Sequence, residues 1–139
     1  MSVQTYPIRL STNGQTEVRD ITGAVQDVIA RSGLAAGTVT VFCPSSTSGL
    51  TTIEYEPGCV ADLRSLFEEM IPSAREYAHN ATWDDGNGHS HLRAALLGPS
   101  LTVPFTGGRM TLGTWQQIVY VDFDIRPRKR ELVVQVMGE

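Results

Sequence analysis

The sequence is poor in the residues that announce several common chemistries. It has two cysteines in 139 residues, Cys43 and Cys59, and neither belongs to a C-x-x-C pair or a regular Cys/His spacing. That leaves no zinc-ribbon or dithiol redox motif to read, and two buried thiols in a reducing compartment are expected. Basic residues are also few: 11 Lys and Arg against 15 Asp and Glu give a formal charge of -4. Such a field does not favour a polyanion, so nucleic acid is not an expected partner. No apolar run approaches a membrane span, and the N-terminus lacks a charged segment followed by an apolar core and a cleavage site. A cytoplasmic protein that engages neither nucleic acid nor membrane is the expectation.

What remains is ordinary globular material, 41% apolar and 19% charged, of a length that fits one domain over residues 1–139. Tyr6, Ile8 and Leu10 alternate with polar neighbours, the period of a half-buried strand, and Pro7 suits a sheet edge. Ile21, Ala24, Val25, Val28 and Ile29 recur at helical spacing, with Asp20 available as a cap and Gly33 as the stop. Thr38 to Phe42 and Leu50 to Tyr55 read as strands around the polar segment 44–49. Leu63, Leu66, Phe67, Met70 and Ile71 mark a second helix ended by Pro72, and a long polar loop from Ser73 to His89 follows. A short helix over 90–97 should bury Leu92, Ala95 and Leu96. Strands are expected at 101–105, 109–112, 115–125 and 131–137, the last two joined by the basic segment 126–130, which reads as a solvated hairpin turn. The sum is an α+β domain on antiparallel sheet with two longer helices and one short one.

The densest chemistry lies in Trp83-Asp-Asp-Gly-Asn-Gly-His-Ser-His91. Asp84, Asp85, His89 and His91 are of the types that bind a divalent ion or exchange protons near neutral pH, and the glycines at 86 and 88 allow convergence. Zinc suits a site in which both histidines ligate, and magnesium one made by the carboxylates. A solvated turn that opens a helix is the competing reading of the same residues. Ser45, Ser46, Thr47 and Ser48 offer hydroxyls to an anion, without a G-x-S-x-G elbow that would indicate a serine hydrolase. Glu54 and Glu56 should share a strand face in solvent, and Trp115 reads more readily as core than as a ligand platform.

These segments, in this order, resemble the YjbQ-like family nearly end to end. The resemblance is carried by Asp20-Ile-Thr22, by Thr47 to Glu54, by Asn87 to Leu97 followed by Gly98-Pro-Ser100, by Gly113-Thr-Trp-Gln116, and by the closing arginine-rich turn with Gly138. It implies an α+β fold assembled as a homotrimer, with a pocket near subunit contacts formed by the matching residues, including Glu54, Asn87, Trp115 and Gln116. It also implies a secondary thiamine-phosphate synthase activity, joining a pyrimidine diphosphate to a thiazole phosphate with release of diphosphate, in a family whose main role is unsettled. The family's first histidine, in a His-Thr-Ser or His-Thr-Thr motif, is Ser45 here; its second matches His91, which, with Asp84 and Asp85, would carry catalysis. A phosphate-handling enzyme is therefore the first functional expectation, and a non-catalytic metabolite- or metal-binding trimer the second.

Overall fold

The computed structural model describes residues 1–139. In chain order its elements are β1 (Ser2–Thr12), β2 (Glu17–Asp20), α1 (Thr22–Ser32), β3 (Ala36–Phe42), β4 (Ser48–Ile53), α2 (Pro57–Met70), α3 (Ala78–Trp83), α4 (Gly88–Leu97), β5 (Ser100–Thr106), β6 (Arg109–Met110), β7 (Gln117–Asp122) and β8 (Arg128–Gly138). Strands β1-β8-β3-β5-β6 make one sheet and β2-β7-β4 another, and every pairing is antiparallel. This is the α+β, antiparallel architecture expected. Pro7 lies on β1, an edge strand, where a missing N–H is tolerated.

Local signals explain most boundaries. Asp20 Oδ1 accepts from both the backbone N and the hydroxyl of Thr22 at the start of α1, and Gly33 ends that helix in the left-handed conformation. Glu56 lies beyond β4 rather than on it, and its carboxylate caps α2 by accepting from Gly58 N and Cys59 N. Those two hydrogen bonds hold its pKa below the usual glutamate value.

Strand β7 reads as a half-buried alternation, yet all but its first residue are buried. Both of its faces are covered. Ile118 and Tyr120 join Val39, Val41, Val134 and the α1 residues Val25 and Ile29 in the larger core. Val119, Val121 and Phe123 pack with Phe67 of α2 and Ala94 of α4 in the smaller one. The three-stranded sheet is thus a middle layer, and a middle layer has no solvent face to alternate with.

Two further expectations need correction. The stretch 73–89 is not one loop, because α3 occupies part of it, so the chain has a fourth, six-residue helix. Helix α4 buries the opposite face from the one anticipated: His89, Ser90, Arg93 and Ala94 are inside, whereas Leu92 and Leu96 are 50% and 58% exposed. The inward face finds polar partners that outweigh its unfavourable composition. Ser90 donates to Phe123 O at 2.6 Å, and Arg93 donates to Ile71 O, Thr16 Oγ1 and Glu68 Oε2.

Candidate functional site

The junction of α3 and α4 is fastened by its own polar groups. Asp84 ends α3 in the left-handed conformation, its N–H bonded to Asn80 O at 2.7 Å. Asp85 Oδ1 accepts from Asn87 N at 3.1 Å, and Asn80 Oδ1 accepts from Gly88 N at 2.9 Å. A β-carbon at position 88 would come within 2.6 Å of Tyr77 Cβ, so only glycine permits this approach.

That junction sets a histidine from each helix against the other. The rings of His79 and His91 lie 4.3 Å apart between centroids, tilted by 43°. Asp85 Oδ1 is 3.4 Å from His79 Nδ1, which is buried and makes no hydrogen bond. His79 is the residue that sequence reasoning passed over. Its place in the polar stretch 73–89 was visible, but the helix that turns it toward His91 was not.

The sequence-predicted quartet does not converge within the chain. His91 and Asp85 lie on either side of His79, and Asp84 is exposed beyond the end of α3. His89 is buried on the inward face of α4, two residues from His91 and so on the opposite side of the helix. Burial lowers the pKa of His89, helped by the nearby charge of Arg93. No three His, Cys, Asp or Glu side chains come close enough to share an ion.

The structure does unite His91 with the serine-rich segment. Ser45, Ser46, Ser48 and His91, with Ala94, Ala95 and Pro99, line a depression of about 380 Å³. Thr47 is not part of it; its hydroxyl donates to Asp124 Oδ2 at 2.9 Å in the interior. Ser45 Oγ accepts from Thr47 N at 3.2 Å and from Arg130 Nη1 at 3.0 Å. Arg130 also reaches Thr47 Oγ1, and it pairs with Asp122, which is fully buried.

The basic segment is therefore only partly the solvated turn that was expected. Arg126, Arg128 and Lys129 are exposed, but Arg130 is a structural strut under the serine loop. Its partners are two interior aspartates, Asp122 and Asp124, that the alternation of β7 did not mark as functional.

The remaining candidates lie elsewhere. Glu54 follows the last residue of β4 and Ser48 is its first, so six residues of extended chain at about 3.3 Å each put roughly 20 Å between them. Gln116 bonds to Thr52 Oγ1 and Gly113 N beside a second depression between the sheets, lined by Thr51, Thr52, Ser100 and Thr102 among others. Trp115 is 72% exposed, so it is not core. Asn87 is buried at the start of α4.

Residues 6–139 match the family model described as UPF0047 protein YjbQ-like. The chain belongs to the YjbQ-like family. A UPF0047 protein of Methanothermobacter thermautotrophicus is 42% identical over 139 residues, covering all of this chain and 95% of that protein. The UPF0047 protein YugU of Bacillus subtilis is 31% identical over 132 residues, 94% of this chain and 97% of its own length. Among solved structures, a hypothetical protein of Aeropyrum pernix superposes with a TM-score of 0.91 at 32% identity, covering 98% and 99% of the two chains. A YjbQ/UPF0047 protein of Clostridium acetobutylicum gives 0.88 at 32% identity, covering 95% and 99%. No helix of this YjbQ-like chain is long and apolar enough to cross a membrane. Of its two free thiols, Cys43 is buried and Cys59 only half-buried.

Proposed function

We propose that the chain is a cytoplasmic phosphate-handling protein whose ligand occupies the depression lined by Ser45, Ser46, Ser48 and His91. The observation that carries this reading is the meeting of serine hydroxyls with an imidazole in one concave site, although His91 lies 43 positions after Ser48. Hydroxyls hold phosphate oxygens, and an imidazolium donates to the same charge.

The reaction implied by the resemblance fits such a site. The thiazole nitrogen lone pair forms a bond to the pyrimidine methylene while the carbon–oxygen bond to diphosphate breaks, and that electron pair leaves on diphosphate. His91 would donate a hydrogen bond or proton to the departing oxygen, the Ser45 and Ser46 hydroxyls would hold the leaving group, and Asp85 would orient His79 behind His91. A divalent ion, magnesium or zinc, would neutralise charge on the diphosphate if Asp84, Asp85, His89 or His91 held it together with ligands from a second copy in a homotrimer; the chemistry above does not depend on it.

The competing reading, a non-catalytic metabolite-binding trimer, is favoured by one observation. Ser45 Oγ already accepts from Arg130 Nη1 and Thr47 N. A hydroxyl so engaged shapes a loop and cannot replace an imidazole in proton transfer. Incubating the two precursors with magnesium and measuring thiamine phosphate, for wild type, Ser45→His and His91→Ala, separates the readings. An enzyme shows turnover that Ser45→His raises and that His91→Ala lowers by on the order of a hundredfold. A binder shows none in any of the three, and activity surviving in His91→Ala would move catalysis elsewhere.

A further inference from the structure

Asp85 borders a further cavity that shares no lining residue with the Ser45–His91 depression. This one, of about 240 Å³, is lined by Trp83, Asp85, Asn87, Ile125, Arg126 and Arg128. The α3–α4 junction supplies three of these residues; the β7–β8 connection supplies Ile125 and Arg126, and β8 begins with Arg128.

The cavity offers acceptors at one side and donors at the other. Asn87 is 6% exposed, and its side-chain oxygen is buried with no hydrogen-bond partner in the protein. Folding rarely strands such an atom unless a ligand or water completes it. Asp85 spends Oδ1 on Asn87 N and on the contact with His79, which leaves Oδ2 to accept. On the donor side, Arg128 Nε is tied to Asp124 Oδ2 at 3.1 Å, while its two terminal nitrogens have no protein partner. The Arg126 backbone N is tied to Asp124 Oδ1 at 3.0 Å and its guanidinium is equally unengaged. Trp83, 71% exposed, adds an aromatic surface that the fold itself does not use.

We propose that this cavity binds a phosphorylated amino-heterocycle of the mononucleotide type. Its ring stacks on Trp83, its amino edge donates to Asn87 Oδ1 and Asp85, and its phosphate lies on Arg126 and Arg128. Each half of the ligand answers a feature that the other cannot: free phosphate leaves the two acceptors unpaired, and an uncharged base leaves both guanidiniums unpaired. The volume is below the about 300 Å³ typical of pockets that enclose a whole small molecule, which puts one ring inside and the phosphate at the mouth. The chain's net charge of -4 favours a single nucleotide over a nucleic acid.

The test uses the full chain with Trp115→Phe, so that indole emission reports Trp83 alone. Titration with adenosine 5′-monophosphate is expected to quench that emission saturably at sub-millimolar concentration, with adenosine and inorganic phosphate each roughly tenfold weaker or more. Arg126→Gln, which leaves the Arg128–Asp124 bond in place, is expected to weaken the nucleotide several-fold, and the Arg126→Gln/Arg128→Gln double variant by roughly tenfold or more. Absence of saturable quenching up to about 10 mM nucleotide overturns the proposal. So does phosphate binding as tightly as the nucleotide, or an affinity unmoved by Arg126→Gln. Quenching retained in His91→Ala assigns the ligand to this cavity; quenching lost there moves it to the neighbouring depression and removes the second site, whatever becomes of the first.

Discussion

Arg130 donates to both oxygens of the Asp122 carboxylate, from Nε at 2.8 Å and from Nη2 at 2.9 Å. Its other bonds run to Ser45 and Thr47, so one guanidinium ties the end of β7 and the start of β8 to the serine loop. Burial opposes the Arg130 charge, but the hydrogen bonds to Asp122 and the nearby negative charges of Asp122 and Asp124 together outweigh it and the pKa is raised. Removing one partner strands the other's charge in the interior. Arg130→Met and Asp122→Asn should each lower unfolding free energy by about 3–5 kcal/mol, whereas the double variant loses clearly less than the sum. Urea unfolding of the four proteins checks this, and simple additivity would show that the pair does not act as a unit.

His89 gives the fold a pH dependence of definite sign. Burial and the Arg93 charge lower its folded-state pKa, so between that value and the unfolded value near about 6.5 only the unfolded chain takes up the proton. Stability should therefore be complete above about pH 7 and fall as pH drops through 6.5 toward the folded pKa. His89→Gln should flatten that part of the profile. Urea midpoints between pH 5 and about 7.5 that decline equally in both proteins would assign the dependence to other groups.

Gly88→Ala tests the α3–α4 junction. The new methyl group would meet Tyr77 Cβ at 2.6 Å and Asn80 Oδ1 at 3.0 Å, so the two helices must part. A loss of about 1–3 kcal/mol is expected, together with reduced ligand binding at His91, because the contact of His79 with His91 depends on the same junction. Thermal melts and binding measured on one preparation read both effects; a variant as stable as wild type would show that the junction has room for a side chain at position 88.

The exposed face of α4 bears on assembly. Leu92 and Leu96 lie on the surface of the same helix that carries His91, and the family resemblance implies a homotrimer. A trimer of the 15.2 kDa chain is expected in sedimentation at micromolar concentration, and Leu92→Glu with Leu96→Glu should dissociate it. A wild-type monomer would contradict the homotrimer.

The fold was largely legible because its signals are local. Alternation in β1, the spacing of Val25, Val28 and Ile29, and the stops at Gly33 and Pro72 act within a few residues. What escaped the sequence depends on long-range contact. Nothing near β7 says that the face carrying Tyr120 and Asp122 is covered by the five-stranded sheet and α1, so the alternation of the strand gives no sign that Asp122 and Asp124 are interior. Nothing near α4 says that Glu68, Thr16 and the Ile71 carbonyl wait to receive Arg93, so hydrophobicity chose the wrong face. The candidate site was half legible for the same reason. The chemistry of Asp85, His91 and the serines was visible residue by residue, but the partner that joins the first two, His79, stands on a helix too short to show a period.

Calorimetric titration of inorganic diphosphate into the wild-type protein and into His91→Ala at pH 7 tests the central claim most directly. Saturable binding to the wild type, weakened by roughly tenfold when the imidazole is removed, is the expected result. Diphosphate that binds neither protein, or both equally, would contradict a phosphate site at Ser45, Ser46, Ser48 and His91.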